Sequence, residues 1–544
     1  STLHARGISL ALNFHPDAQI DPCQDEYEPM AKALGVDTTK SAPPLPDIDL
    51  AQTNQTYCDA YFTHAMERSA KADIAWTDTP NSTTWTNYLY SRYPALRRNK
   101  RTINFSRYGG IGDQRTPIGF SGDTFRLWGT LRYQVWMTPR AANIGFGWWS
   151  HDIGGFKTNN GGKYLPGTNH TESAELFLRW LQFGTYAPIF RTHCRYCDQR
   201  IWTFGDKWFP RMKQTMLERR RLFPYINTHA HLEAYRKGRA LLVPMYWDTP
   251  VGFDGTVFAP GPHADEQYKF GTDFVVAPVV EKVSSAISSS TTTGSGSDGI
   301  SDDDDSSGSG LVEKQVWLPE GRWVAWNGEE GRSCAKKKKS GVGGDGPGAA
   351  GPGNAATPSP SAILQGPVAL TLECGLDQMP VFINVSRIIP TRSTLLTSRT
   401  AGIASAASSN DPIIWVLFVP RDASVQPHHM GEGRLFEDDG VSMDYHHGKQ
   451  QMMSMEDDES PAGGMLTLAA STSNTTTTCV WISGGVGTYE GIPARRTHKF
   501  ELRGITLSEI DRAVCRTEDD GVTKGIVTSP GVGGGGQRGS ADAA

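Results

Sequence analysis

The chain has 544 residues, 53 Lys and Arg against 58 Asp and Glu, and 38% hydrophobic residues. This length predicts more than one domain, because single hydrophobic cores stop growing near roughly 250–300 residues. The slight acidic excess argues against a nucleic-acid-binding protein, and the longest apolar runs fall far short of the ~20 residues that a membrane span requires.

Residues 1–240 alternate short apolar segments with longer amphipathic stretches, which is the pattern of βα units that build a parallel sheet. Six strands are predicted, over Ile8–Phe14, Asp73–Thr77, Thr102–Ser106, Pro117–Ser121, Asn143–Trp149 and Ala187–Arg191. Helices are predicted between them over Phe125–Met137 and Ser173–Phe183. Six strands with intervening helices suit an α/β fold of the (β/α)8 TIM-barrel type, although a closed barrel needs two more.

After residue 240 the sequence changes to short apolar runs separated by Gly, Pro and Asp, which is typical of β-sandwich domains. We predict a proximal C-terminal β-domain over 241–393 and a distal one over 394–530. Two polar segments, at about 283–310 with DDDD and at about 333–361 with KKKK, are predicted to be disordered insertions. An electrostatic contact between them is the alternative. The Gly-rich residues 531–544 are predicted to be a disordered tail.

The cysteines leave the compartment open. Cys194 and Cys197 in RTHCRYCD form the one close pair, which suits a loop disulfide, two free thiols, or a zinc or redox site. Six Asn-X-Ser/Thr triplets permit a secretory route without proving it; they begin at Asn54, Asn81, Asn104, Asn169, Asn384 and Asn474. No signal pattern is visible in STLHARGISL, so localisation is not predicted and any targeting segment is expected upstream of Ser1.

Polar residues stand directly after predicted strands in the first half of the chain. They are Asp78, Arg107, Asp123, Asp152, Arg191 and His193. Functional groups of a barrel collect at the carboxyl ends of its strands, so these are candidate site residues. Glycoside hydrolysis needs two carboxyl groups, one to protonate the leaving oxygen and one to attack or to activate water. Asp78 and Asp123 suit this pair, although either Asp alone could simply cap a helix.

The remaining candidates suit a sugar site around that pair. Arg107 and Asp152 would bind sugar hydroxyls, and Trp76, Trp148 and Trp149 would offer apolar faces to a sugar ring. His193, taken alone, is also a common kind of structural histidine.

Eight segments, taken in order, resemble glycoside hydrolase family 31, the α-glucosidase family. They are RYGGIGDQRTPIGFSGDT, NIGFGWWSHDIGGF, RWLQFGTYAPIFRTH, AYRKGRALLVPMYWDTP, YKFGTDFVVAPVV, VWLPEGRWVAWNG, PVFINVSRIIP and LFEDDGVSMDY. The resemblance covers residues 7 to about 445, apart from the insertions. It implies a retaining α-glycosidase in which Asp78 is the nucleophile and Asp123 the acid/base. The substrate would be an α-linked oligosaccharide or glycan, with terminal glucose or a related sugar such as xylose.

The resemblance also implies roles for the other candidates. Asp152, His193 and Arg107 would bind sugar hydroxyls, and Trp76 would line the sugar subsite. Arg191 would orient the neighbouring carboxylates. No metal or organic cofactor is implied.

The chain departs from the family pattern in two places. The nucleophile loop reads WTDTPNS where the family often has Met-Asn-Glu or Trp-Gln after the Asp. The resemblance also places the six predicted strands at barrel positions three to eight, which implies an N-terminally truncated barrel with unpaired sheet edges and low stability in isolation. A catalytically silent carbohydrate-binding remnant and an α-transglycosylase are therefore the alternative functions.

Overall fold

A computed structural model of the protein describes most of the first half of the chain and selected parts of the second half. The described residues are 3–6, 8–39, 41–51, 53–66, 72–78, 84–98, 103–107, 110, 112–116, 118–157, 174–195, 197–248, 264–283, 310–327, 333–336, 363–393, 412–418, 431–436, 451–452, 468–473, 477–482, 486–487, 498–503 and 540–543.

A parallel sheet carries the first half of the chain. Its strands are β1 (Ala11–Phe14), β2 (Ile74–Thr77), β3 (Asn104–Arg107), β4 (Ile118–Phe120) and β5 (Trp148–Ser150). They lie side by side in chain order. All neighbouring pairs are parallel, with registers such as Asn13 opposite Trp76 and Arg107 opposite Phe120. This order is that of consecutive βα units, so five of the six predicted strands have a counterpart in one barrel-type sheet. The fifth, predicted over Asn143–Trp149, is confined to Trp148–Ser150, because Ala141–Ile144 form a 3-10 helix.

Helices connect these strands and follow them. The α-helices are α1 (Tyr27–Ala33), α2 (Ile48–Ala51), α3 (Gln55–Ala60), α4 (Thr84–Arg98), α5 (Trp128–Arg140), α6 (Ala174–Thr185), α7 (Gly205–Arg221) and α8 (Phe223–His229). Two π-helical segments, Tyr61–Met66 and Ala230–Tyr235, continue α3 and α8. Helix α5 begins three residues later than predicted, because Phe125 forms a parallel bridge with Lys157 instead of joining the helix.

The sixth predicted strand, Ala187–Arg191, is not a regular strand. A single parallel bridge, Ile153 with Thr192, extends the sheet there. The Arg219 guanidinium of α7 donates to the carbonyls of Thr185, Ala187 and Pro188 at 3.0, 2.6 and 2.8 Å. Pro188 also has no backbone N–H to donate. The backbone at Ala187 and Pro188 is thus bound by α7.

An antiparallel sheet follows the barrel part, as the sequence predicts. Its strands are β6 (Leu242–Pro244), β7 (Tyr268–Phe270), β8 (Phe274–Val276), β9 (Val312–Ala325), β10 (Ala335–Lys336), β11 (Leu364–Cys374) and β12 (Val381–Asn384). Within the described residues they are ordered β10-β11-β9-β12-β8-β7-β6. A disulfide joins Cys334 to Cys374, beside β10 and at the end of β11.

The distal part consists of smaller sheets. Its strands are β13 (Ile389–Arg392), β14 (Ile413–Phe418), β15 (Gly431–Gly433), β16 (Gln451–Met452), β17 (Leu468–Ser473), β18 (Thr477–Ile482), β19 (Val486–Gly487), β20 (His498–Arg503) and β21 (Ser540–Ala543). Strand β13 pairs with β14, although it lies within the predicted proximal domain. Strand β21 pairs with β20, so these four residues of the predicted disordered tail form a strand.

The barrel part and the proximal sheet share one hydrophobic core. The largest cluster of buried residues runs from Trp180 of α6 to Tyr268, Trp326 and Ile383 of the sheet region. Buried polar contacts reinforce the joint, because the Arg179 guanidinium donates to the carbonyls of Gly375 and Gln378 at 3.0 and 2.8 Å. The change of sequence texture near residue 240 is therefore not a boundary between separate cores.

The predicted insertions fall mainly outside the described residues. Val283 and Gly310, at the two ends of the first insertion, lie side by side, since a Cβ placed on Gly310 would be 2.4 Å from the Val283 side chain. Of the triplet asparagines, Asn104 is fully buried and so closed to glycosylation, while Asn54 is exposed and caps α3. Asn81, Asn169 and Asn474 lie outside the described residues. Among the described helices, none has the length and apolar character to cross a bilayer.

Candidate active site

Two carboxylates meet at the carboxyl edge of the parallel sheet. Asp78 follows β2 and Asp123 follows β4, and Arg107 ends the strand between them. The Arg107 Nε lies 2.6 Å from Asp78 Oδ1, and its Nη2 contacts Asp123 Oδ1. One planar guanidinium thus bridges both carboxylates, which places them close together and offsets their mutual repulsion.

Asn13 is a further partner of Asp78 that the sequence did not single out. Its Nδ2 donates to Asp78 Oδ2 at 2.8 Å, and the backbone N–H of Asp78 donates to the Phe14 carbonyl at 2.9 Å. Asn13 lies opposite Trp76 in the sheet register, so both side chains point to the same face. The available signal was one amide within the apolar segment ISLALNF.

A second ion pair lies beside the first. Asp152 follows β5 with its side chain fully buried, and the Arg191 Nη2 contacts its Oδ1. Burial raises the pKa of Asp152 to about 6 against the opposing charge of Arg191. The Asp152 Oδ2 and the Arg191 Nη1 are both buried without a hydrogen-bond partner among the described residues. These two atoms remain free to bind polar groups of a ligand.

Aromatic rings form the wall between the two ion pairs. The Trp76 ring packs edge-on against Phe105, Phe120 and His193, with centroids 5.2, 5.6 and 5.1 Å away. The Arg191 guanidinium lies 5.1 Å from the Trp76 centroid. The Trp76 indole Nε1 is buried without a hydrogen-bond partner in the described structure. An apolar face therefore stands next to unused hydrogen-bonding atoms, as in a sugar subsite.

His193 lies against this wall in its neutral form. Its ring stacks on Phe156 with centroids 4.7 Å apart. Burial and the neighbouring Arg191 lower the pKa of His193 to about 4. A neutral imidazole has one donor and one acceptor nitrogen, which suits hydroxyl binding at neutral pH.

Trp149 is the one predicted substrate residue that lies elsewhere. It is 5% exposed and packs with Phe146 and Ala141 in a separate buried cluster. A Cβ on Gly119 would lie 2.9 Å from both the Phe146 and the Trp149 rings. Adjacent strand residues face opposite sides of a sheet, and Trp149 occupies the side away from the carboxylates. Its prediction as a sugar-binding residue is therefore not supported.

The loop after β5 brings Lys157 to the site, which the sequence did not predict. Its Nζ lies 3.2 Å from Asp123 Oδ2. Arg126 holds the loop by donating to the carbonyls of Gly155, Phe156 and Arg195 at 3.0, 3.2 and 2.7 Å. Gly155 has φ of 83°, and a Cβ there would lie 2.8 Å from the Arg126 backbone. Only glycine fits this close approach.

Cys194 and Cys197 form a disulfide directly after His193. Of the alternatives open at the sequence level, the structure selects the loop disulfide. The same loop is tied to the Lys157 loop, because the Arg195 N–H donates to the Phe156 carbonyl at 3.0 Å. No cluster of three or more candidate metal-ligating side chains occurs in the described part of the chain.

His151 supports Asp152 from the core side. Its Nδ1 accepts a hydrogen bond from the Trp180 indole at 3.1 Å, and its ring stacks on Phe183 at 4.6 Å. The side chain is fully buried, and this burial, with the charge of Arg191, lowers its pKa to about 3. His151 is therefore neutral and fixes the end of β5 against α6.

Comparison with known proteins identifies the architecture. Residues 12–229 match the family model described as the glycosyl hydrolases family 31 TIM-barrel domain. The chain is 25% identical over 365 residues to an α-xylosidase of Saccharolobus solfataricus, covering 66% of this chain and 37% of that protein. It is 31% identical over 190 residues to α-xylosidase A of Aspergillus niger, covering 32% and 26%.

Solved structures show the same fold. A GH31 dextranase of Flavobacterium johnsoniae, complexed with glucose, superposes with a TM-score of 0.62 at 18% identity. The match covers 91% of this chain and 54% of that one. The chain thus spans only part of the length of the relatives that it matches.

Proposed function

Since the chain belongs to glycoside hydrolase family 31 through its barrel domain, we propose that it is a retaining α-glycosidase acting on terminal α-linked glucose or a related α-sugar such as xylose. The observation that carries the proposal is the pair of carboxylates, Asp78 and Asp123, bridged by Arg107. Retaining glycosidases need two carboxyl groups only ≈ 5–5.5 Å apart, because the nucleophile attacks the sugar directly. Two carboxylates that share one guanidinium suit that spacing.

The two carboxyl groups divide the chemistry between them. Asp78 is held by Asn13 and Arg107 and attacks the anomeric carbon, while Asp123 donates its proton to the leaving oxygen. This step breaks the glycosidic bond and forms a glycosyl ester on Asp78. Asp123 then takes a proton from water, which attacks the same carbon and releases Asp78. Two inversions give net retention.

The buried ion pair and the aromatic wall bind the sugar in this proposal. Asp152 Oδ2, Arg191 Nη1 and Trp76 Nε1 lack partners in the described structure. Buried polar atoms without partners are costly, so substrate hydroxyls that pair with them gain binding free energy. The apolar faces of Trp76 and its neighbours contact the ring carbons. Neutral His193 adds one donor or acceptor.

Hydrolysis of 4-nitrophenyl α-glucoside and α-xyloside tests the proposal. Activity is expected in the intact chain, and the sugar should appear first as its α-anomer by proton NMR. Asp78→Ala and Asp123→Ala should each abolish or strongly reduce turnover. Asp265→Ala is the matched control, since Asp265 is an exposed aspartate bound only to Arg140 among described residues.

Azide separates the two roles. With Asp78→Ala it should attack the bound substrate directly and yield the β-glycosyl azide. With Asp123→Ala it should attack the glycosyl ester and yield the α-glycosyl azide. Binding of the sugar without any hydrolysis by the intact chain would instead favour a silent carbohydrate-binding protein and refute the enzyme proposal.

A further inference from the structure

Asp123 stands between two cations. Arg107 contacts its Oδ1, and the Lys157 Nζ lies 3.2 Å from its Oδ2. Arg107 also contacts Asp78, so its side of Asp123 faces the nucleophile and the sugar that is attacked. Arg107 ends β3 and Lys157 follows β5, the two strands that flank β4, so Lys157 reaches Asp123 from the side away from Arg107. In a double displacement this is where the leaving group departs, because the acid/base lies next to the leaving oxygen.

The position of Lys157 is fixed by its backbone. Its N–H donates to the Thr124 carbonyl at 2.8 Å, and its carbonyl accepts from the Arg126 N–H at 3.0 Å. These bonds tie Lys157 to the segment that directly follows Asp123. The Arg126 side chain holds the preceding residues, Gly155 and Phe156, by their carbonyls. The base of the side chain is thus rigid.

The ammonium group at the other end is accessible. The Lys157 side chain is 42% exposed, while that of Asp123 is 20% exposed. Asp123 is its one ion-pair partner among the described residues. When Asp123 carries the proton that it donates, this ion pair is lost. A lysine ammonium then needs a new acceptor, and its flexible stem lets it turn toward the leaving group.

We propose that Lys157 forms part of the leaving-group subsite and favours leaving groups that carry an anionic substituent, such as a carboxylate or a phosphate. This inference rests on the proposed glycosidase function. While Asp123 holds the proton that it will donate, an anion on the bound leaving group takes its place as the partner of the ammonium. Neutral leaving groups offer only hydroxyl or amide acceptors, which bind an ammonium more weakly.

Two matched substrates test the inference. The 3-carboxyphenyl and 3-carbamoylphenyl α-glucosides differ in charge but little in shape. The intact chain should prefer the carboxylate substrate in kcat/KM by roughly threefold to fivefold at low salt, as for a partly exposed ion pair. Added salt should reduce this ratio.

Variants assign the preference to one residue. Lys157→Gln should bring the ratio close to one by lowering kcat/KM for the carboxylate substrate, and Lys157→Arg should retain the preference. Lys237→Gln is the control, because Lys237 is an exposed lysine paired with Glu233. An unchanged ratio in Lys157→Gln, or an equal loss with both substrates, would overturn the inference. Hydrolysis of neither substrate by the intact chain would overturn the proposed function itself, and the inference with it.

Discussion

His151 makes the fold sensitive to acid, and replacing it by Asn tests the reasoning. The imidazole is fully buried, stacked on Phe183, and accepts at Nδ1 from the Trp180 indole. Protonation would place a charge in this core and would convert the acceptor nitrogen into a donor facing another donor. In His151→Asn the Oδ1 of the new Asn can accept the Trp180 hydrogen bond from a similar position, but an amide does not titrate.

The magnitude follows from the lowered pKa. His151 has a pKa of about 3 in the folded chain against the ordinary 6.5. Below pH 6.5 the unfolded chain binds a proton at His151 and the folded chain does not. The stabilisation of the fold by neutral His151 is therefore complete above pH 6.5 and is lost as the pH falls toward 3. At about pH 4.5 the loss amounts to about 3 kcal/mol, at 1.36 kcal/mol per pH unit.

Urea unfolding of the wild type and of His151→Asn at about pH 7.5 and about pH 4.5 measures how much neutral His151 stabilises the fold. At the higher pH the variant should be less stable, since it loses the ring contacts with Phe183. At the lower pH the wild type should have lost about 3 kcal/mol relative to the variant. His193 and His229 also have lowered pKa values, but they titrate in both proteins and cancel. A stability difference that is the same at both pH values would refute the reasoning.

Three further predictions concern the joint between the barrel part and the proximal sheet, the Cys334–Cys374 disulfide, and the first insertion. Arg179→Met should lower the free energy of unfolding by about 2–4 kcal/mol, because two buried carbonyls lose their donor; the exposed Arg200→Met should leave it unchanged. Replacing Cys334 and Cys374 by Ala, which removes a disulfide that spans 40 residues and leaves Cys194–Cys197 intact, should cost about 4 kcal/mol by chain entropy, measured as a shift in urea midpoint. Replacing residues 284–309 by a short Gly-Ser linker should leave the thermal midpoint unchanged, since the flanking residues already touch; a clear loss would show that the insertion stabilises the fold.

The sequence predicted the strand ends well, because each apolar run is followed by a polar residue. Asp78, Arg107 and Asp123 were found in this way, and the structure joins them at one edge. Contacts formed across strands were not predictable. Asn13 and Lys157 reach the carboxylates from a neighbouring strand and from a later loop, and no local pattern encodes either approach.

Trp149 shows a second limit of sequence reasoning. In the run GFGWWSH both tryptophans are candidates, yet adjacent residues of a strand face opposite sides. The register that decides between them depends on the packing of Phe146 against Gly119, which is a tertiary property. Likewise, the sixth predicted strand is reduced to the bridge between Ile153 and Thr192, and Arg219 of a later helix binds the carbonyls of Ala187 and Pro188 before it.

When Asp123 is ionised, the charges around the site cancel, although the whole chain carries a net charge of -5. The carboxylates of Asp78, Asp123 and Asp152 are matched by Arg107, Arg191 and Lys157, and the low pKa of His193 keeps it uncharged. In the proposed function the sugar itself carries no charge, so its association rate should depend little on ionic strength. A cationic ligand would have to compete with Arg107 for both carboxylates.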